Sequence, residues 1–179
     1  MQYSCHRKAL IRPPQSTSPN LVARELITSW ADFQTAIDRL LVMACRQIQI
    51  YDEDLSTLRL ESATRKEQIK RFLQLGQGDA LQIAVRRAAS FRLQHPQLQS
   101  LLDIYGHLAK ARETPPQLAH LRDSMLLVDG RHALIRFDRE QPRSKLLIDE
   151  TCELRPYLTR FHEIWSEGGE SISGATLGL

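Results

Sequence analysis

The stretch His120-Leu121-Arg122-Asp123-Ser124-Met125-Leu126-Leu127-Val128-Asp129-Gly130 governs how the rest of the chain is read. Ser124 and the apolar run Met125 to Val128 are too short for an ordinary helix, and they end on Asp-Gly, a strong turn signal. The pattern predicts a buried strand entering a tight turn. Beyond the turn, residues 132–137 and 145–148 continue as strands, so the last third of the chain is hairpin-like. Upstream, residues 109–113 form a short strand stopped by Thr114-Pro115-Pro116, and 96–108 a helix with Pro96 well placed in its first turn. Residues 81–85 form a strand ending at Arg86-Arg87. The spacing predicts a helix over 64–75, with Ile69, Phe72 and Leu73 on one face and Gly76 and Gly78 as its stop. A strand over 48–51 runs into Asp52-Glu53-Asp54. Before it, Ser29 caps a helix with Asp32 in its first turn and Phe33, Ile37, Leu40, Leu41 and Ala44 at helical spacing. A last helix over 152–165 carries Leu154, Leu158, Phe161, Ile164 and Trp165 as its apolar stripe.

Strands alternating with helices in the first two thirds imply an α/β fold with some parallel pairing, and the hairpins make the sheet mixed. The expected architecture is a mixed β-sheet sandwiched by helices. It occupies residues 26–168, between a flexible basic tail over 1–25 and a C-terminal tail over 169–179. The chain has 179 residues, 42% hydrophobic and 25% charged, enough for one domain that buries roughly 70% of its unfolded surface. Its net charge is +3, but residues 1–24 hold Arg7, Lys8, Arg12 and Arg24 and no acid, leaving 20 basic against 21 acidic residues beyond them. The body is therefore balanced and lacks the footprint of a nucleic-acid-binding domain, although the tail could touch nucleic acid or acidic lipid. Cys5, Cys45 and Cys152 sit far apart, with no spacing that suits a disulfide framework or a metal site. No cofactor is indicated. The start lacks an apolar core of signal-peptide length, and no stretch is long and apolar enough to span a bilayer, so a cytoplasmic location is the expectation.

The element order, and the strand that ends in Asp129-Gly130 before a hairpin, resemble one half of the phospholipase D superfamily. The likeness runs from Trp30 to Trp165 and includes Phe161-His162-Glu163-Ile164-Trp165, similar to a Phe-x-x-x-Trp near the end of many such domains. That family's motif is His-x-Lys-x-x-x-x-Asp. By the resemblance, His attacks phosphorus, Lys holds phosphate oxygens and Asp balances the histidine of the facing half. Aligned on Asp129, Arg122 stands at the His position and Ser124 at the Lys position. A guanidinium stays protonated and cannot be the nucleophile, so the resemblance implies a hydrolytically inactive module. Arg122 retains bidentate affinity for phosphate.

The candidate ligand-binding residues are therefore Arg122, Ser124, Asp129 and Arg86, the last because ligands favour the carboxyl ends of parallel strands. Each also fits a plain role: Arg122 and Asp129 as contacts of a structural hairpin, Arg86 and Arg87 as solvated charges, Asp52, Glu53 and Asp54 as turn residues. The leading expectation is an inactive phospholipase-D-like module that binds a partner or an anionic, phosphate-containing ligand. Against it stand a phosphodiesterase or nuclease using His120 or His132 at a shifted register, and a purely structural interaction domain. Two such halves normally pack face to face, so a homodimer through the former active-site face is also expected.

Overall fold

The computed structural model describes residues 23–172; residues 1–22 of the tail expected over 1–25, and residues 173–179 of the one expected over 169–179, lie outside the described residues. The first elements are strand β1 (Ala23–Ile27), helix α1 (Trp30–Met43), strand β2 (Ile48–Asp52), helix α2 (Ala63–Leu75) and strand β3 (Leu81–Val85). Helices α3 (Ala88–Gln94) and α4 (Pro96–Ile104), strands β4 (Ala109–Glu113), β5 (Ser124–Val128), β6 (His132–Arg136) and β7 (Ser144–Ile148), and helix α5 (Thr151–Ser166) complete it. The strands form one seven-stranded sheet in the order β1-β7-β6-β5-β2-β3-β4. β2, β3 and β4 run parallel, and every other pairing is antiparallel. The mixed α/β sandwich expected from the sequence is the fold observed.

Local chemistry explains the joints. Ser29 Oγ accepts from the Asp32 amide at 3.1 Å and donates to its carboxylate at 2.7 Å, which fixes the start of α1. At the β5–β6 turn, Asp129 (φ 55°) and Gly130 (φ 65°) both adopt the left-handed backbone, which Asp tolerates better than most residues and Gly adopts freely. Period-two alternation then splits the sheet's side chains into two cores. Ile48, Ile50, Ile83, Leu126 and Leu134 face α1, α2 and α4. Tyr51, Ala84, Met125, Leu127 and Ala133 face the other way, where α5 alone supplies Leu154, Phe161 and Ile164.

Four features differ from the sequence expectation. β1 begins at Ala23, inside the stretch read as tail, and pairs with β7 through long-range bonds that local pattern does not encode. The short α3 was not anticipated, since only Ala88 and Phe91 of its seven residues are buried and no periodic stripe marks it. α4 stops at Ile104 instead of 108, shortly before Gly106, the poorest helix former present there. After α5, Gly168 (φ 81°) and Gly169 (φ 144°) turn the chain back along the outer edge of β4. There Glu113 N donates to Glu170 O at 2.9 Å and Ile172 N to Ala111 O at 2.8 Å. Residues 170–172, expected in a tail, thus cap an otherwise open sheet edge.

Candidate ligand-binding cleft

The parallel strands β2, β3 and β4 end at one side of the sheet, and each end delivers a polar group. Arg86 follows β3, its amide donating to Asp52 O at 3.1 Å. Its side chain is 8% exposed as a residue, lies 4.8 Å over the Tyr51 ring and donates from Nη1 to Asp123 O at 2.8 Å. Nη2, like Oγ1 of buried Thr114 just past β4, is buried and makes no hydrogen bond of good geometry. Tyr51 Oη makes no hydrogen bond of good geometry either. Burial raises its pKa, and Arg86 opposes that shift through its charge and through a close polar contact with the hydroxyl. Buried polar atoms are normally satisfied, and a charged donor left without an acceptor is costly. Arg86 and Thr114 line a cavity of about 690 Å³ with Pro115 as an apolar wall and Glu113, Glu167 and Glu170 as carboxylates. Glu113 Oε1 also accepts from the Ala88 amide at 3.0 Å, which holds that side chain in place.

The other sequence candidates do not join Arg86 there. Arg122 lies before β5, so strand alternation does not set its direction. It is exposed and bound to Asp138 (2.8 Å) and Glu140 (2.9 Å). The pair pushes the Asp138 pKa down to about 2 and raises that of Arg122. Ser124 is buried under Arg136, whose Nε donates to its Oγ at 3.1 Å. Asp129 accepts from the backbone amides of Cys45 (2.9 Å), Arg46 (2.7 Å) and Gln47 (2.8 Å), pinning the link between α1 and β2. The structure does not bring Arg122, Ser124 and Asp129 to the cavity that Arg86 lines. β5 spans roughly 17 Å at about 3.4 Å per residue, and Ser124 and Asp129 flank its opposite ends. Of the four, Arg86 alone lines the cavity.

A family model described as Domain of unknown function (DUF7931) matches residues 29–173. The chain belongs to this family. No curated protein sequence matches it. Among solved structures, TrmBL2, described as an archaeal chromatin protein with a novel mode of DNA binding, superposes with a TM-score of 0.61 at 13% identity. That match covers 87% of this chain and 56% of TrmBL2, so the chain spans little more than half of that protein's length. Nuc from Salmonella typhimurium, a phospholipase D family member, gives 0.51 at 12% identity over 84% of this chain and 97% of Nuc. At such identities the likeness is one of fold: the DUF7931 domain has a phospholipase-D-like architecture.

A second polar cluster of the DUF7931 domain is internally satisfied. Buried Arg136 donates from Nη2 to buried Asp52 at 3.2 Å and from Nε to Ser124. It sits 5.4 Å over Phe33, and desolvation lowers its pKa against the pull of Asp52. Beside it Glu53 binds Arg139 (2.7 Å) and Arg87 (3.3 Å). Asp52 Oδ1 also accepts from the amides of Asp54 (3.2 Å) and Leu55 (3.0 Å), the turn role the acidic run suggested. Among the described residues no group of His, Cys, Asp and Glu is arranged to hold a metal, and no helix is long and apolar enough to cross a membrane. His120 is exposed and bonded to Gln117 O at 2.7 Å. His132 is buried at the far end of β6 and accepts from the Asp149 amide at 3.1 Å. Neither histidine lines the cavity. Sequence reasoning found Arg86 from its place at a strand end. It passed over Tyr51 and took Thr114 only as a strand stop. Glu113, Glu167 and Glu170 carry no local signal, since the turn at Gly168-Gly169 is what brings the last two across to β4.

Proposed function

We propose that the domain binds a small ligand through an anionic group held by Arg86, and that it does not hydrolyse phosphodiesters by the phospholipase D route. The observation that carries this is Arg86, a buried arginine that lines a large cavity at the carboxyl ends of the parallel strands and is paired with no carboxylate there. Thr114 lines the same cavity. The phospholipase D nucleophile and phosphate-holding positions are Arg122 and Ser124, one engaged by carboxylates and the other beneath Arg136. The DNA binding described for TrmBL2 does not enter this proposal, because residues 25–179 hold 20 basic against 21 acidic residues and offer no positive footprint.

The test is an NMR titration of the full chain with inorganic phosphate, sulfate and O-phosphoethanolamine at low ionic strength. Amide shifts centred on Arg86, Glu113 and Thr114 are expected for at least one of them. Arg86→Gln should weaken that binding by tenfold or more, the loss of a charge-assisted hydrogen bond. No saturable shifts, or shifts centred on Arg122 instead, overturn the proposal; the wild-type map decides even if the variant folds poorly. A two-fold dimer, expected from the resemblance, is tested separately by light scattering, and a monomer at micromolar concentration removes it without touching the cleft.

A further inference from the structure

We infer that the cleft selects a zwitterion, a carboxylate or phosphate joined to an ammonium group, over a bare anion. This rests on the proposal that Arg86 anchors an anionic group and names the ligand class of that same site. The inference comes from the charge of the whole cavity. Its titratable lining is one guanidinium, Arg86, against three carboxylates, Glu113, Glu167 and Glu170. Arg86 is buried, whereas Glu113 is half-buried and Glu167 and Glu170 are exposed, so the cation lies deep and two of the acids lie near solvent. No salt bridge joins Arg86 to any of the three, nor Glu167 or Glu170 to any described cation, so these charges are not consumed internally as those around Arg136 are.

A bare anion approaching Arg86 would pass carboxylates of like charge, and repulsion would cancel part of its attraction to the guanidinium. A guest that also carries an ammonium group reverses the sign of that interaction while leaving the Arg86 contact unchanged. Position makes the arrangement specific. Glu170 is fixed beside the cavity because its carbonyl accepts from the Glu113 amide at 2.9 Å, and Glu167 closes the end of α5 just before the glycine turn. Glu113 is held from the other side by the Ala88 amide. β4, the end of α5 and the strap after it therefore converge their acids on one cavity that the buried Arg86 also lines.

The experiment compares matched pairs by calorimetry on the full chain at pH 7 and low salt: O-phosphoethanolamine against ethyl phosphate, and 5-aminopentanoate against pentanoate. The two pairs separate a phosphate from a carboxylate source of the anion. The zwitterion of at least one pair should bind about 5-fold more tightly than its amine-free partner, the scale of a partly exposed ion pair. Glu167→Gln/Glu170→Gln, a surface double variant that preserves the hydrogen-bonded backbone, should bring that ratio below about 2-fold while amine-free binding holds or improves. Equal binding within both pairs overturns the inference and leaves Arg86 as an anion site. A preference that survives in the double variant overturns the assignment to these acids. If none of the four compounds binds, the proposed function fails together with it.

Discussion

At Asp129 one carboxylate accepts three successive backbone amides, from Cys45, Arg46 and Gln47, while its own backbone is left-handed. Asp129→Ala loses both the acceptors and the tolerance of positive φ, and should cost about 2–3 kcal/mol in urea unfolding. Asp129→Asn keeps the backbone preference and one acceptor oxygen, so it should fall between. Asp52 and Arg136 are each 2% exposed at the side chain. Asp52→Ala strands a buried guanidinium and should cost about 3–5 kcal/mol, whereas Asp52→Leu/Arg136→Met should recover much of it. The same chemical denaturation curves check both. Burial lowers the His132 pKa from its ordinary 6.5, with Asp149 opposing the shift. The unfolded chain then takes up a proton that the folded chain resists. This contribution is fully present above about pH 6.5 and is lost as pH falls through that value toward the folded pKa. Melting temperature should drop from pH 7.5 to pH 5.5, and His132→Gln should flatten that slope. An unchanged slope assigns the acid sensitivity to other groups.

Among the elements, the strap over residues 168–172 has the most to lose from one methyl group. A Cβ on Gly169 would lie 1.6 Å from the Glu113 carbonyl oxygen, and the φ of 144° is one that L side chains rarely adopt. Gly169→Ala should lift the strap, expose Ile172 (5% exposed when docked) and cost about 2 kcal/mol. Hydrogen exchange would report it directly, with faster exchange at the Glu113 and Ile172 amides and none at the centre of β2. Because the strap carries Glu170, the same variant should also lose the preference for an ammonium-bearing guest. The helix and strand cores were largely legible from periodicity: Phe33, Ile37, Leu40 and Leu41 of α1, the run of β5, and Leu154, Phe161 and Ile164 of α5 are buried, while Ala44, Leu158 and Trp165 are half-buried. β1 and the strap were not legible, because each is held mainly by bonds to a distant strand and not by its own pattern.

For the whole molecule, the layer arrangement sets what chemistry is within reach. His120 precedes β5 and His132 pairs with Val128 at its other end, and neither lines the cavity at the strand ends. The full chain should therefore show no turnover of bis-p-nitrophenyl phosphate above background. Activity that disappears in His120→Ala would revive the shifted-register histidine and defeat the binding-module proposal.

The sequence by itself determined the class of fold, most of the elements and the balanced charge of the body. Those depend on local periodicity, turn chemistry and composition, which a chain carries wherever it is read. It also marked Arg86, since a charge at the end of a buried strand is a local signal. Tertiary structure decided which of the marked residues meet. Buried Arg136 engaged Ser124, the link between α1 and β2 engaged Asp129, ion pairs engaged Arg122, and a glycine turn after α5 brought Glu167 and Glu170 to a cavity beside the ends of β3 and β4. Contacts between residues far apart in sequence are fixed by packing and hydrogen bonding across the sheet, and no short stretch of the chain encodes them.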